Sequence, residues 1–82
     1  MNPATIIKTL TNSAALRTEI ASETYHITCE TDTTTSIHID LHSQSITSTY
    51  DDKQTTVSTP NVTVFCFALV FRLAPCGARQ KD

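Results

Sequence analysis

The chain has 82 residues, a formal net charge of −2 and a sequence pI near 5.8. This length is enough for one hydrophobic core but not for two. Its six basic residues are too few and too scattered for a surface that tracks a phosphate backbone, so no nucleic-acid partner is expected.

Glycine occurs only once, at Gly77. Phosphate-binding loops, dinucleotide fingerprints and Asn-Gly hairpins in their usual forms need glycine for positive φ or for close backbone approach. None of them is expected, and the turns must use Asp, Asn, Ser and Pro instead. The 16 Thr and 7 Ser favour strands, because Thr is β-branched and fits the exposed face of a pleated sheet.

The first part of the chain, residues 2–22, predicts a helix with Asn2 as its N-cap and Pro3 at its first position. Six apolar residues fall on one face at a period of 3.6, namely Ile6, Ile7, Leu10, Ala14, Ile20 and Ala21. Thr11-Asn12-Ser13 is a poor helix interior, and Arg17 projects from the apolar face. We expect one helix, kinked or split at this point, with two short helices as the alternative.

Alternation of apolar and polar residues predicts four strands after this helix. They are Tyr25–Glu30, Ile37–His42, Ile46–Tyr50 and Gln54–Ser58, separated by polar turns. The fourth strand has Val57 as its one apolar residue, and Pro60-Asn61 then interrupts the chain.

The segment Val62–Phe71 is apolar except for Thr63. We interpret it as a long strand buried on both faces, and a buried helix is the alternative that periodicity alone leaves open. The segment is shorter than the roughly 20 apolar residues that span a bilayer, so no membrane partner is expected.

These elements predict an α+β fold, with an N-terminal helix packed on an antiparallel meander of four to five strands. Residues 1–73 form the predicted domain, and residues 74–82 a flexible C-terminal tail. One helical layer covers only one face of the sheet. The second apolar face of Val62–Phe71 therefore needs another cover, which a binding partner or a second copy of the chain would supply.

The three cysteines, Cys29, Cys66 and Cys76, have no spacing typical of a disulfide framework. Cys29 and Cys66 lie in apolar patterns and should be buried and inert, whereas Cys76 should be exposed and is the candidate for reactivity. Met1–Leu10 lacks the apolar stretch of a secretory signal, so we expect an intracellular, cytoplasmic location.

The most suggestive polar pattern is His38-x-Asp40-x-His42, whose side chains would share one face of a strand. Imidazole and carboxylate groups bind zinc, and His26 on the neighbouring strand is a fourth candidate ligand. The outer two residues of the pattern would lie about 13 Å apart, too far for one ion to join all three. We favour solvent-facing polar residues, and we expect no metal, cofactor or catalytic residue.

The sequence therefore predicts a non-enzymatic protein-binding module. Small chains that occlude a partner protein are common among regulatory and inhibitory proteins of phages and other mobile elements, and this association motivates the expectation. The interface candidates are Arg17, Phe65, Phe67 and Phe71, because arginine and aromatic residues are enriched at binding hot spots. The alternatives are a small metal-binding or hydrolytic domain that uses the His38/Asp40/His42 face, and a membrane-active protein that uses Val62–Leu73.

Overall fold

The computed structural model of the chain describes residues 2–14, 16–30, 32 and 34–79, with side chains up to residue 74. The described elements are two helices and five strands. In chain order they are α1 (Pro3–Leu10), β1 (Leu16–Ala21), β2 (Thr24–Cys29), β3 (Thr35–Asp40), β4 (Ser45–Tyr50), β5 (Lys53–Ser58) and α2 (Val62–Arg79).

The five strands form one antiparallel sheet with the spatial order β1-β2-β3-β4-β5, so each strand pairs with its neighbour in the chain. The predicted α+β class and antiparallel meander are confirmed. Strands β2 to β5 correspond to the four strands that alternation predicted. The fifth strand is β1, in place of the predicted strand Val62–Phe71.

Helix α1 begins as predicted and ends much earlier. The Asn2 side chain accepts a hydrogen bond from the backbone N–H of Ala4 at 2.9 Å, and Pro3 occupies the first turn. The helix ends at Leu10, where the buried Thr11 hydroxyl donates to the carbonyl of Ile7 at 2.7 Å. The predicted continuation to residue 22 is wrong, because residues 16–21 form a strand paired with β2. The helical period was misleading there because Ile20 and Ala21, which it placed on the buried face of a helix, are exposed on this strand.

The prediction that Val62–Phe71 is a strand is also wrong, since this segment is the first half of α2. Asn61 caps the helix: its side chain accepts from the N–H of Val64 at 3.1 Å, and its carbonyl accepts from the N–H of Phe65 at 2.9 Å. Helix α2 continues through residues 74–79, which the sequence assigned to the tail, and residues 80–82 lie outside the described residues.

The core lies between the two helices and one face of the sheet. Its buried residues are Ile7 from α1, Phe65, Leu69 and Leu73 from α2, and Leu16, Ile27, Cys29, Ile37, Ile39 and Ile46 from the strands. The residues of α2 recur at intervals of four, so one stripe of the helix faces the sheet. We call this covered side the apolar face of the sheet and the opposite side its polar face.

Residues other than glycine occupy the positive-φ positions of the hairpin turns. Four residues other than glycine have positive φ in the described part of the chain: Ser22, Gln44, Asp51 and Asp52. Asp51 and Asp52, with φ of 51° and 66°, form the two-residue connection between β4 and β5. Positive φ at both central residues is typical of a type I′ turn, which normally carries Asn-Gly. The expected use of Asp and Ser in turns is confirmed at these positions.

We predict that Leu69→Ala lowers the free energy of unfolding by about 2–5 kcal/mol, because it leaves a cavity in the core. The matched control is Phe71→Ala, two residues along the same helix, where the side chain is exposed. This control should change stability by about 0.5 kcal/mol or less. Urea denaturation of both variants measures the difference, and equal losses would contradict the described orientation of α2.

A second prediction concerns the β4–β5 turn. Asp52→Gly should raise the free energy of unfolding by about 1 kcal/mol or less, because glycine adopts positive φ without the steric cost that a side chain imposes. Asp52→Ala, which keeps that cost and loses the tolerance of Asp for this conformation, should lower stability. Thermal unfolding of the two variants compares them directly. A glycine variant no more stable than the alanine variant would refute this description of the turn.

Candidate functional site

Helix α2 is apolar on both of its sides. The side opposite the sheet carries Val64, Phe67, Val70 and Phe71, which we call the α2 patch. Phe67 is 65% exposed and Phe71 is 76% exposed. The one charged side chain described on this helix is Arg72, which is half-buried on the side toward the sheet and donates a 3.5 Å hydrogen bond to the Ser48 hydroxyl of β4. A helix that is apolar all round is normally buried on all sides, so the α2 patch is surface of a kind that proteins usually cover.

The α2 patch continues into a groove between the two helices. This groove has a volume of about 350 Å³. It is lined by Asn2, Thr5, Ile6, Thr9 and Leu10 of the α1 region and by Val70 of α2. Val70 belongs to both surfaces, so the patch and the groove form one continuous region. The combination of a convex aromatic ridge beside a concave apolar groove can receive a complementary helix or loop.

The four predicted interface residues do not form one surface. Phe67 and Phe71 lie in the α2 patch, whereas Phe65 is 1% exposed and packs in the core. Arg17 is exposed on β1, where it pairs with Thr28 on the polar face of the sheet. Arg17 and the two exposed phenylalanines are thus on opposite sides of the molecule. The structure leaves Phe67 and Phe71 as members of a common surface and separates the other two from it.

The polar face of the sheet is built from rows of hydroxyl, imidazole and charged groups. The central row runs across all five strands through Glu19, His26, His38, Thr47 and Thr56, each a direct cross-strand partner of the next. In this row the Thr47 and Thr56 hydroxyls are 3.2 Å apart and share a hydrogen bond. A parallel row contains Arg17, Thr28, Ser36, Thr49 and Gln54. Both helices pack on the other face, so these rows face solvent.

Two of the candidate metal ligands meet on this face. His26 of β2 and His38 of β3 are direct cross-strand partners, both exposed. Their rings are stacked, with centroids 5.7 Å apart and planes inclined by 27°. The sequence pattern pointed to neighbours along β3, whereas the contact that forms is across the strands.

The other two candidates lie at and just beyond the end of β3. Strand β3 ends at Asp40, so His42 lies in the following turn and not on the strand. Asp40 Oδ1 accepts hydrogen bonds from the backbone N–H groups of His42 at 2.9 Å and Ser43 at 3.3 Å. The bond from Ser43 in particular lowers the pKa of the Asp40 carboxyl below its usual value. His42 Nδ1 lies 3.5 Å from a carboxylate oxygen of Glu23 in the adjacent loop. Asp40 therefore stabilises a turn.

Two negative findings apply to the residues that the structure describes. They contain no group of three or more His, Cys, Asp or Glu side chains arranged to hold a metal ion. They also contain no helix that is long and apolar enough to cross a membrane. Cys29 and Cys66 are buried, as predicted, and the side chain of Cys76 lies outside the described part of the chain.

No protein-family model, curated protein or solved structure matches the chain.

Two signals in the sequence indicate that the segment carrying the α2 patch is a helix. The apolar stretch reaches Leu73 with only Thr63 and Arg72 as interruptions, and this length is typical of a helix and long for a strand. Asn61 after Pro60 is a helix N-cap signal. The sequence named His26 as a candidate ligand on the strand next to His38, but the direct pairing of the two depends on the register of β2 against β3.

We predict that the Asp40 carboxyl titrates below the ordinary pH range of aspartate, which a carbon-detected NMR titration of its side chain can measure. Because the folded pKa is lowered, the stability that this group contributes is present above the unfolded pKa of about 3.9 and is lost as pH falls through the folded value. Asp40→Asn keeps an acceptor oxygen for the turn and should lose this pH dependence. Asp40→Ala should destabilise the turn at neutral pH as well. An ordinary pKa for Asp40 would contradict the turn geometry.

Proposed function

We propose that the protein is a non-enzymatic protein-binding module and that the α2 patch is its binding surface. The observation that carries the proposal is the exposure of Phe67 and Phe71 on a helix whose opposite side already fills the core. Aromatic residues contribute disproportionately to protein–protein binding, because each buries a large apolar area at a small cost in side-chain entropy.

The charge of the surface favours a protein over a lipid bilayer as the partner. Helices that lie on membranes carry many Lys and Arg on their polar face. Arg72 is the one charged residue among residues 62–74 of α2, and the whole chain has a net charge of −2. Attraction to anionic lipid is therefore weak, and the patch is better suited to an apolar surface of similar shape.

The α2 patch is also a better candidate for the binding surface than the edges of the sheet. Strands β1 and β5 are the two ends of the sheet, and edge strands can recruit a further strand by backbone hydrogen bonding. However, β5 directs Lys53 toward the apolar face, where it pairs with Tyr50. A charge at such a position is a feature that discourages edge-to-edge pairing. On β1, Ile20 lies on the apolar face of the sheet, like Lys53 on β5. It is the one large apolar side chain exposed on β1.

A second copy of the chain is one candidate partner, since two α2 patches are both apolar and could pack against each other. A different protein whose own surface is occluded by the module is the other candidate. The inhibitory role, which rests on the association with small chains that occlude their partners, is part of this proposal, and it requires that binding at the α2 patch block a partner's activity.

The test is the double variant Phe67→Ser/Phe71→Ser. We expect the native chain either to self-associate above its monomer mass of 9.0 kDa or to retain a specific partner from its native host. The double variant should lose either interaction by at least tenfold, because both anchors of the patch are removed. Light scattering after size-exclusion chromatography and affinity measurements with the retained partner provide the readouts.

The matched control is Ile20→Ser, which removes a side chain with 64% exposure outside the patch, almost the same exposure as Phe67. This variant should bind like the native chain. A native protein that is strictly monomeric and retains no partner would overturn the proposal. Flotation of the native chain with neutral and anionic vesicles, lost in the double variant, would replace it with membrane binding.

A further inference from the structure

We propose that His26 and His38 form a binding site for one divalent transition-metal ion, such as Zn²⁺ or Cu²⁺, on the polar face of the sheet. The two residues are the only pair of histidines in the described part of the chain that are direct cross-strand partners. The site is independent of the α2 patch, because the sheet separates the two surfaces.

The geometry of the pair fits a chelate. A Zn–N bond is about 2.0–2.1 Å long, so two imidazole nitrogens on one tetrahedral ion lie about 3.4 Å apart. The rings of His26 and His38 are already adjacent, with centroids at 5.7 Å. Both side chains are exposed, and rotation about their side-chain bonds can turn one nitrogen of each ring toward a common point without backbone movement. The register of β2 against β3 therefore brings two imidazole rings within reach of one ion.

The chemistry of the neighbours indicates which ion the pair would bind. Imidazole nitrogen suits Zn²⁺, Cu²⁺ and Ni²⁺, whereas Mg²⁺ and Ca²⁺ prefer oxygen ligands. Glu19 is the cross-strand partner of His26 on β1, so a carboxylate lies one strand away and its negative charge favours a bound cation. Thr47, the partner of His38 on β4, carries no charge that would oppose one.

Two protein ligands leave the other positions of the ion to water or to another molecule. Such an open site differs from the closed four-ligand sites that hold structural zinc, and it agrees with the finding that no group of three or more ligands is arranged for a metal among the described residues. An ion here would link β2 and β3, and its open positions could bind a ligand from outside the domain.

The experiment measures binding of Zn²⁺ alone to the purified native chain, by isothermal titration calorimetry at pH 7.5 and by NMR of the histidine rings. We expect saturable binding of one ion per chain, with shifts at His26 and His38. His26→Ala and His38→Ala should each weaken binding at least tenfold. Both positions are exposed, so both variants should keep the native fold, which circular dichroism verifies.

The matched control is His42→Ala, which removes the remaining histidine from its place in the turn after β3. It should change the affinity by less than twofold, and Mg²⁺ should produce no heat with any of these proteins. The thermal midpoint of the native chain should also rise with Zn²⁺, because an ion that binds only the folded chain stabilises it, and His38→Ala should lose this rise. The absence of Zn²⁺ binding to the native chain, or an equal loss in His42→Ala and His26→Ala, would overturn the proposal.

Discussion

The contact between α2 and the apolar face of the sheet determines most of what the molecule presents to its surroundings. Its buried residues recur every fourth position along the helix, at Phe65, Leu69 and Leu73, and they meet isoleucines from the three central strands. Once this stripe faces the sheet, the helix geometry directs Phe67 and Phe71 away from it. Since the helices cover only the apolar face, the residues on the polar face of every strand can be polar. Burial on one side of the sheet thus accounts for both surfaces proposed as sites.

The elements that sequence reasoning predicted well are those in which one side of a strand is buried. Alternation identifies β2, β3 and β4 because Ile27, Ile39 and Ile46 are flanked by polar residues. The same rule failed for β1, because Ile20 and Ala21 also fit a helical period that starts in α1. The sequence between α1 and β1 contains no glycine or proline that would mark the end of the helix. The rule failed for α2 because a segment that is apolar on every side has no period to detect. At α2 the signals that indicate a helix are the length of the apolar stretch and the N-cap at Asn61, whereas at β1 pairing with β2 decides the structure.

The candidate sites divide in the same way. That the segment around Phe67 and Phe71 has more apolar surface than the fold can cover follows from composition, whichever secondary structure it adopts. Which phenylalanines are exposed does not follow, and Phe65 proved to be a core residue. The pairing of His26 with His38 depends on strand register, and the capping role of Asp40 depends on where β3 ends. These are properties of the folded chain that local sequence does not encode.

The order of strands in the sheet also governs how the chain folds. Consecutive strands are neighbours in the sheet, so the sheet can form one hairpin at a time. These contacts are close in sequence, which favours rapid folding. Helix α2, however, follows all five strands and supplies much of the cover for the sheet. The isoleucine-lined face of the sheet therefore stays incompletely covered during folding until α2 docks on it. Until α2 docks, this apolar face is exposed and prone to aggregation, although in the folded molecule it is the best protected part.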